Sequence, residues 1–470
     1  MKTFCESVIP FKMPYLYSER IGEYLLVYKP RADHKFLLLD KHAQQIFFAC
    51  DGKRNLEKIY DFLENHGYKQ EKIEATIVAL NKEKILKVSD EISGDISLRQ
   101  AFKRTFGIWL HVTNNCNLRC SYCYIDKNKG NMPLHIAERT VINAVEQCGK
   151  FGIENLSIKF AGGEPLMVWE NIKHIINFAK KCCAPMNITP VFSIISNGTL
   201  VKKEIAEYLK NNKISIGVSL DGLRVVNDNQ RFHQDGRGSF NEVYNGICVL
   251  KKAGCRPFIL ITVTSNNANG LQELTRFLLE HELNFRYSFE RNCSRLLSTD
   301  DLIRDSLMYT EILSECFVNI EEWMLRKQWN FNIKLCDINL DRPISRSCGI
   351  GKNSAAIDHG GRIALCQMVF NESIGHIGKI GLIEAIQNQQ IIPELRKKTI
   401  NDCLECSQCI WKNVCAGGCP VFTYKQRGAI NLPSPYCKVF QTLIPKVVRL
   451  RGVKLIRSYE EQKGDKTWLP

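Results

Sequence analysis

Between residues 105 and 330 the chain alternates short apolar runs with longer amphipathic stretches, and this alternation constrains the fold more than any other feature. The runs are Ile108–Val112, Leu156–Phe160, Val191–Ile195, Ile214–Leu220, Phe258–Val263 and Phe285–Phe289. Each has strand length and is rich in β-branched or aromatic residues. Between them, segments such as Ala137–Phe151 and Glu204–Asn211 place apolar residues at helical spacing. Six such strand–helix units imply a parallel sheet, open or curled into a partial barrel, with helices packed on it. Ligands of such folds sit at the carboxyl ends of the strands.

Blocks of different character flank this core. Within residues 20–90, Glu23–Tyr28 and Phe36–Leu39 read as strands. Asp40 can cap a helix carrying Ala43, Ile46, Phe47 and Cys50, which Asp51-Gly52 ends. Leu56, Ile59, Tyr60 and Leu63 mark a second helix, and Ile73, Ile77 and Leu80 a third after Gly67. Two strands and three short helices make a winged-helix-like unit. Asp90–Gln100 is polar and aperiodic, as a linker would be. Residues 336–440 are cysteine-dense and loop-rich, which an apolar core alone would hold poorly. The tail, 444–470, begins IPKVVRLRGVKLIRS and reads as a basic helix with a solvated charged face.

The 21 cysteines matter because no apolar run approaches the ~20 residues of a membrane span, and Met1–Glu6 is not followed by a signal-like apolar region. A cytoplasmic protein is expected, and in that reducing setting cysteines bind metals more often than they pair. A net charge of +15 favours acidic partners without choosing among them.

The densest chemistry follows the first barrel strand, where Val112–Tyr124 reads VTNNCNLRCSYCY. Cys116, Cys120 and Cys123 thus share one tight loop. Three thiolates can hold three irons of a [4Fe–4S] cluster and leave the fourth iron open for a small ligand. A structural zinc ion needs four protein ligands, and no fourth follows at a suitable spacing.

This CxxxCxxC loop, with Tyr122 before its last cysteine, resembles the radical S-adenosylmethionine superfamily. Further motifs fall in the order the resemblance requires. Gly162-Gly163-Glu164-Pro165 follows the second strand, Ser196-Asn197-Gly198-Thr199 the third, and Ser219-Leu220-Asp221-Gly222 the fourth. A glycine turn alone accounts for any one of them, so the case rests on their succession. The resemblance implies that Gly162, Gly163 and Glu164 meet the methionyl amine of S-adenosylmethionine, and that Ser196, Asn197, Ser219 and Asp221 line the rest of the cofactor. Arg231 is suited to its carboxylate, since a guanidinium grips a carboxylate with two donors. Tyr122 either stacks on the adenine or is a buried structural tyrosine.

A second pattern lies in the cysteine-dense block. Cys348-x12-Gly361-x4-Cys366 precedes Cys406-x2-Cys409-x5-Cys415-x3-Cys419, and Cys437 closes the set. This is similar to the SPASM extension, which carries two auxiliary [4Fe–4S] clusters. The resemblance implies Cys348, Cys366 and Cys419 on the first, with Cys336 as a fourth ligand or an open iron in its place. It implies Cys406, Cys409, Cys415 and Cys437 on the second, and three [4Fe–4S] clusters in all. Cys403 has no assigned role. A zinc-ribbon-like module would explain the later cysteines and leave the Gly-x4-Cys half unexplained.

The first block resembles PqqD-like domains, which recognise the leader of a ribosomally made precursor peptide by strand addition to a sheet edge. A DNA-binding winged helix competes. However, Glu71–Lys84 mixes acidic with basic residues and lacks a cluster to read base edges. The expectation is therefore a radical peptide maturase in which a 5′-deoxyadenosyl radical takes hydrogen from a peptide carbon. Thioether formation is the leading outcome. Carbon–carbon or carbon–oxygen cross-linking and epimerisation are the alternatives. Formylglycine formation would want an acidic residue where Gln367 stands. An electron donor such as flavodoxin or ferredoxin is implied, nucleic acid and a membrane are not, and no protein side chain is assigned a catalytic role. A non-enzymatic iron–sulfur or zinc DNA-binding sensor and a peptide-delivery scaffold stand as readings of other classes.

Overall fold

The structure is a computed structural model that describes residues 4–88, 105–127, 130–291, 293, 296–327 and 332–463. The expected linker Asp90–Gln100 and the end of the tail lie outside these residues.

Among the described residues one sheet has ten strands, and the six expected strands form its centre. They are Thr105–Thr113, Asn155–Gly162, Thr189–Ser196, Ser215–Ser219, Phe258–Val263 and Asn284–Phe289, parallel and in chain order. Period-two burial explains why these residues form strands. Leu156, Ile158 and Phe160 share one buried face, in a core with Ala137, Val141 and Ala144 of the helix Leu134–Lys150. Each large apolar side chain buried there contributes about 1.5–3 kcal/mol. This is the α/β fold of a partial (β/α)6 barrel, with a winged-helix-like unit before it and a cysteine-rich region after it.

The cysteine-rich region is built into the barrel sheet. Ser354–Ile357 pairs in parallel with Gly107–Leu110 of the first barrel strand, and Arg362–Ala364 then adds antiparallel. Ile357, Ile363, Leu382 and Phe422 join the main core. A smaller core of Ile350, Leu365, Val369, Ile392, Leu395 and Val421 lies beyond. The region therefore has more apolar support than its composition indicated, because its short strands borrow the barrel's edge.

The N-terminal unit has the two expected strands as Tyr24–Tyr28 and Phe36–Leu39, plus a third, Tyr17–Ile21, on the outer side of the first. Its helices are Lys41–Ala49, Leu56–Glu64 and Gln70–Lys82. The Asp40 carboxylate caps the first by accepting from Ala43 N at 2.8 Å, and Asn55 caps the second. Leu25, Val27, Ile46, Ile59 and Ile77 form a core of their own. Phe36–Leu39 pairs with Tyr24–Tyr28, and its other edge has no strand partner among the described residues.

The tail corrects the sequence reading. It belongs to a 27-residue helix, Cys437–Lys463, that starts in the cysteine-rich region. Ile444, Val448, Val453 and Ile456 of this helix share the main core with Ile21, Leu26 and Tyr28 of the N-terminal sheet. Its arginines are engaged rather than solvated. Arg449 Nη1 donates to Glu19 at 2.7 Å and its Nε to Glu321 at 2.7 Å, so one guanidinium joins the N-terminal sheet to the helix Thr299–Arg326. Arg449→Ala removes the cation from two half-buried carboxylates, of which Glu19 keeps the Tyr17 hydroxyl, and is expected to lower stability by about 1–3 kcal/mol. Denaturant titration should show the loss, with faster proteolysis of the chain; unchanged values on both readouts would remove the helix's linking role.

Candidate functional site

The three-cysteine loop leaves the carboxyl end of the first barrel strand and is held mainly by backbone bonds. Arg119 N donates to Phe232 O at 2.7 Å and Ser121 N to Gln230 O at 2.9 Å. On its other side Gly163 N donates to Thr113 O at 2.8 Å, and Glu164 N to Asn115 O at 2.7 Å. A Cβ on Gly163 would stand 2.0 Å from Asn115 O, and one on Gly162, whose φ is +126°, 2.1 Å from Thr113 O. Only glycine permits this backbone-on-backbone approach. Burial pushes the Cys116 thiol up to about 11 and raises that of Cys120. Such thiols give up a proton readily only to a metal that takes the charge. The donor set therefore fits a cluster.

The third-strand loop is tied to the same place through Glu164. Its fully buried carboxylate accepts from Ser196 Oγ at 2.8 Å, Asn197 N at 2.7 Å and Leu166 N at 3.0 Å. Burial raises its pKa, and these three donors oppose the rise. Each carboxylate oxygen thus has a partner inside the protein, which gives Glu164 a positioning role. Asn197 carries the link onward, donating to Asn117 at 2.9 Å beside Cys116.

Glu164→Gln keeps the volume but turns one acceptor into a donor that faces donors. Losing a hydrogen bond to a buried charge costs about 1.5–3 kcal/mol. S-adenosylmethionine binding by the reconstituted protein is expected to weaken about tenfold or more. Equilibrium dialysis beside an unchanged far-ultraviolet spectrum measures it, and wild-type affinity would refute the role.

Tyr122, Asp221 and Arg231 meet in one buried group. Asp221 Oδ2 accepts from Tyr122 Oη at 2.5 Å and from Arg231 Nη1 at 3.3 Å, while its Oδ1 accepts from Thr262 N at 2.7 Å. Arg231 Nη1 also donates to Tyr122 Oη. Burial holds the Tyr122 phenol well above its ordinary pKa, so it stays a donor. Arg231, expected to face a cofactor carboxylate, is paired through Nη1 with Asp221, and its buried Nε has no hydrogen-bond partner. Ser219 ends its strand half-buried, paired in register with Leu260. Asn267 stands in no motif, yet its buried amide donates to Asp221 O and Thr262 O at 2.9 Å each.

A cavity of about 570 Å³ opens at the barrel mouth. Cys123 and Tyr124 form one wall, Glu290, Arg291 and Cys293 another, and Gln367 and Phe370 a third. His111, buried at the end of the first strand, stacks edge-on with Phe370. The volume suits a peptide side chain or small ligand. Farther out, Cys406, Cys409, Cys415 and Cys437 all line one small cavity with Trp411 and Phe440. Cys348 and Cys366 both lie within electrostatic reach of Cys419. Cys403 is buried against Cys406. A cubane cluster takes each thiolate on a different iron, whereas zinc gathers its ligands at one point. Among the described residues no three His, Cys, Asp or Glu side chains converge in the second way.

Parallel strands in chain order, glycine-backed loops at their carboxyl ends and a three-thiol loop after the first define a barrel protein built for a cluster and a small cofactor. Residues 110–278 match the family described as the Radical SAM superfamily. The chain thus carries a radical SAM domain, which supports S-adenosylmethionine and a [4Fe–4S] cluster as its cofactors. It is 26% identical over 367 residues to a cysteine-type anaerobic sulfatase-maturating enzyme of Clostridium novyi (strain NT), covering 71% of this chain and 92% of the relative. It is 22% identical over 363 residues to the radical SAM cyclopropyl synthase TigE of Paramaledivibacter caminithermalis, covering 73% of each. Among solved structures, native anSMEcpe with bound AdoMet and Cp18Cys peptide shares the fold, with a TM-score of 0.62 at 21% identity, over 75% of this chain and 99% of that one. No helix among the described residues is long and apolar enough to cross a membrane.

Proposed function

We propose that this radical SAM enzyme matures a ribosomally made precursor peptide in the cytoplasm by joining a cysteine sulfur to a carbon in a thioether. The observation that carries the reading is the mouth cavity, walled by the three-thiol loop on one side and by the Cys366 loop on another. Cys116, Cys120 and Cys123 would hold the cluster that S-adenosylmethionine meets. The backbone at Gly162 and Gly163, the loops at Ser196–Asn197 and Ser219–Asp221, and Arg231 would hold the cofactor. When bound, that pair supplies a 5′-deoxyadenosyl radical by one-electron cleavage of the sulfonium. The chain's own part is to orient the peptide, exclude water and keep the Asp221–Arg231–Tyr122 group rigid beneath the cofactor. Cys348, Cys366 and Cys419, and separately Cys406, Cys409, Cys415 and Cys437, would hold two auxiliary clusters that take the surplus electron away, while a flavodoxin- or ferredoxin-like donor would reduce the three-cysteine cluster.

The N-terminal unit supports a peptide substrate. A leader strand would add to the free edge of Phe36–Leu39, where the positive chain attracts an acidic leader. A second reading, oxidation of a cysteine to formylglycine, is favoured by the sulfatase-maturating relatives. Against it stand Gln367 in the cavity wall and the added N-terminal unit.

The test incubates the reconstituted protein with S-adenosylmethionine, dithionite and the cysteine-bearing peptide encoded nearest its gene. Loss of a hydrogen pair together with loss of cysteine alkylation is the expected product. The same mass change with an alkylatable cysteine points to carbon–carbon or carbon–oxygen linkage, and unchanged mass with altered chirality to epimerisation. Release of the cysteine sulfur with an aldehyde formed supports the formylglycine reading. Salt-sensitive operator binding without cofactor cleavage would overturn the enzyme altogether.

A further inference from the structure

We propose that Cys293, on the loop after the sixth barrel strand, is the fourth thiol of the set formed by Cys348, Cys366 and Cys419, in place of Cys336. The inference rests on those three cysteines being the ligands of the first auxiliary cluster, as read above.

Packing points to Cys293 first. It lies against the small core of Ile350, Leu365, Val369, Ile392, Leu395 and Val421, and Cys366 and Cys419 lie against that same core. The loop that bears it is fastened there from its far end, where Leu297 N donates to Gln426 Oε1 at 2.8 Å. Electrostatics agree: after burial, the group that acts most on the Cys293 thiol is Cys419, and Cys293 in turn acts on Cys366. Cys293, Cys366 and Cys419 thus pack on one small core from three separate segments, and Cys348 lies within electrostatic reach of Cys419.

Cys336 stands differently. It follows the edge strand Ile333–Leu335, donates its backbone N–H to Tyr287 O at 2.9 Å, and is absent from the small core that Cys293, Cys366 and Cys419 pack against. Its sulfur accepts from Arg291 Nη2 at 3.4 Å, and the same guanidinium nitrogen pairs with Asp337. The charged groups that act most on this sulfur are Asp337 and Arg291 rather than another cysteine.

The position has a functional consequence, because Cys293 also lines the mouth cavity. It forms part of the wall between that cavity and the auxiliary site. An iron bound to Cys293 has no vacancy for a substrate thiolate, which confines the first auxiliary cluster to taking up an electron.

The test uses full-length protein reconstituted in the Cys116→Ala/Cys120→Ala/Cys123→Ala background, so that only auxiliary clusters contribute to the electron paramagnetic resonance spectrum. Cys293→Ala should alter one reduced-cluster signal and make it respond to added 2-mercaptoethanol at the exposed iron. Cys293→Ser, which keeps the size and can ligate through oxygen, should shift the signal less and not respond to thiol. Cys336→Ala should leave the spectrum unchanged. A spectrum altered by Cys336→Ala and not by Cys293→Ala would overturn the proposal. So would a thiol response already present without either substitution. Cys366→Ala is the control: if it removes none of its expected iron, about four per chain, the auxiliary-cluster reading itself fails and the proposal with it.

Discussion

With both proposed auxiliary clusters in place, the Cys116→Ala/Cys120→Ala/Cys123→Ala variant is expected to bind about eight irons per chain after anaerobic reconstitution, and the wild type about twelve. Its formation of 5′-deoxyadenosine with dithionite should fall to background. The effect is large because the three thiols are the loop's whole donor set, so no neighbouring cysteine can substitute. The loop itself should survive, since its anchors are backbone bonds to Phe232 O, Gln230 O and Gly130 O rather than sulfur contacts. The remaining iron should be undisturbed, because the other cysteine sets sit on segments beyond residue 290. Loss of activity with a native circular dichroism spectrum and about eight irons therefore separates chemistry from unfolding. Zinc in place of iron, or unchanged cofactor cleavage in the variant, would defeat the assignment.

How much of this was legible in advance depended on the kind of physics involved. Phe258–Val263 and Phe36–Leu39 were readable to the residue, because an apolar run bounded by polar residues can hardly be anything but a buried strand. Tyr17–Ile21 was not, because it alternates with the exposed, polar Ser18 and Arg20 and looks like a loop. Ser354–Ile357 and Arg362–Ala364 were hidden for another reason: at four and three residues they have no period to detect, and they are strands only because Thr105–Thr113 offers an open edge. The tail was misread as solvated since sequence shows the charges of Arg449 but not Glu19 and Glu321, which meet it from distant segments. The same limit applies at the site. Spacing brought Cys116, Cys120 and Cys123 together, and the residue types at Glu164, Asp221 and Arg231 were noticed. Their protein partners are long-range, so spacing could not show that Ser196 and Asn197 donate to Glu164 or that Arg231 pairs with Asp221. Cys293 lies in no motif, and only packing draws notice to it.

Gly163→Ala tests the arrangement through backbone shape, with no change in charge or ligand. The added methyl carbon would stand 2.0 Å from Asn115 O and 2.7 Å from Asn114 O, and neither atom is a flexible side-chain end that can swing away. One strand-end loop must therefore move, which breaks the bonds from Gly163 N to Thr113 O and from Glu164 N to Asn115 O. Two lost backbone bonds in a half-buried site cost about 2–6 kcal/mol if unsatisfied. The displaced pair includes the segment that carries Cys116, so the cluster's first ligand shifts with it. The expected result is a chain that folds, since its barrel core is untouched, yet assembles about four fewer irons. Formation of 5′-deoxyadenosine should drop by at least about 100-fold, as an ångström-scale misplacement near reacting groups does. Gly236→Ala is the matched control: Gly236 also lies near the site in sequence, with φ of +83° but nothing within 4 Å of its added carbon. That change should weaken its turn slightly and leave iron content intact. If Gly163→Ala retained full iron and full cofactor cleavage, the close approach of these two loops would be incidental, and the glycines would be no more than a turn.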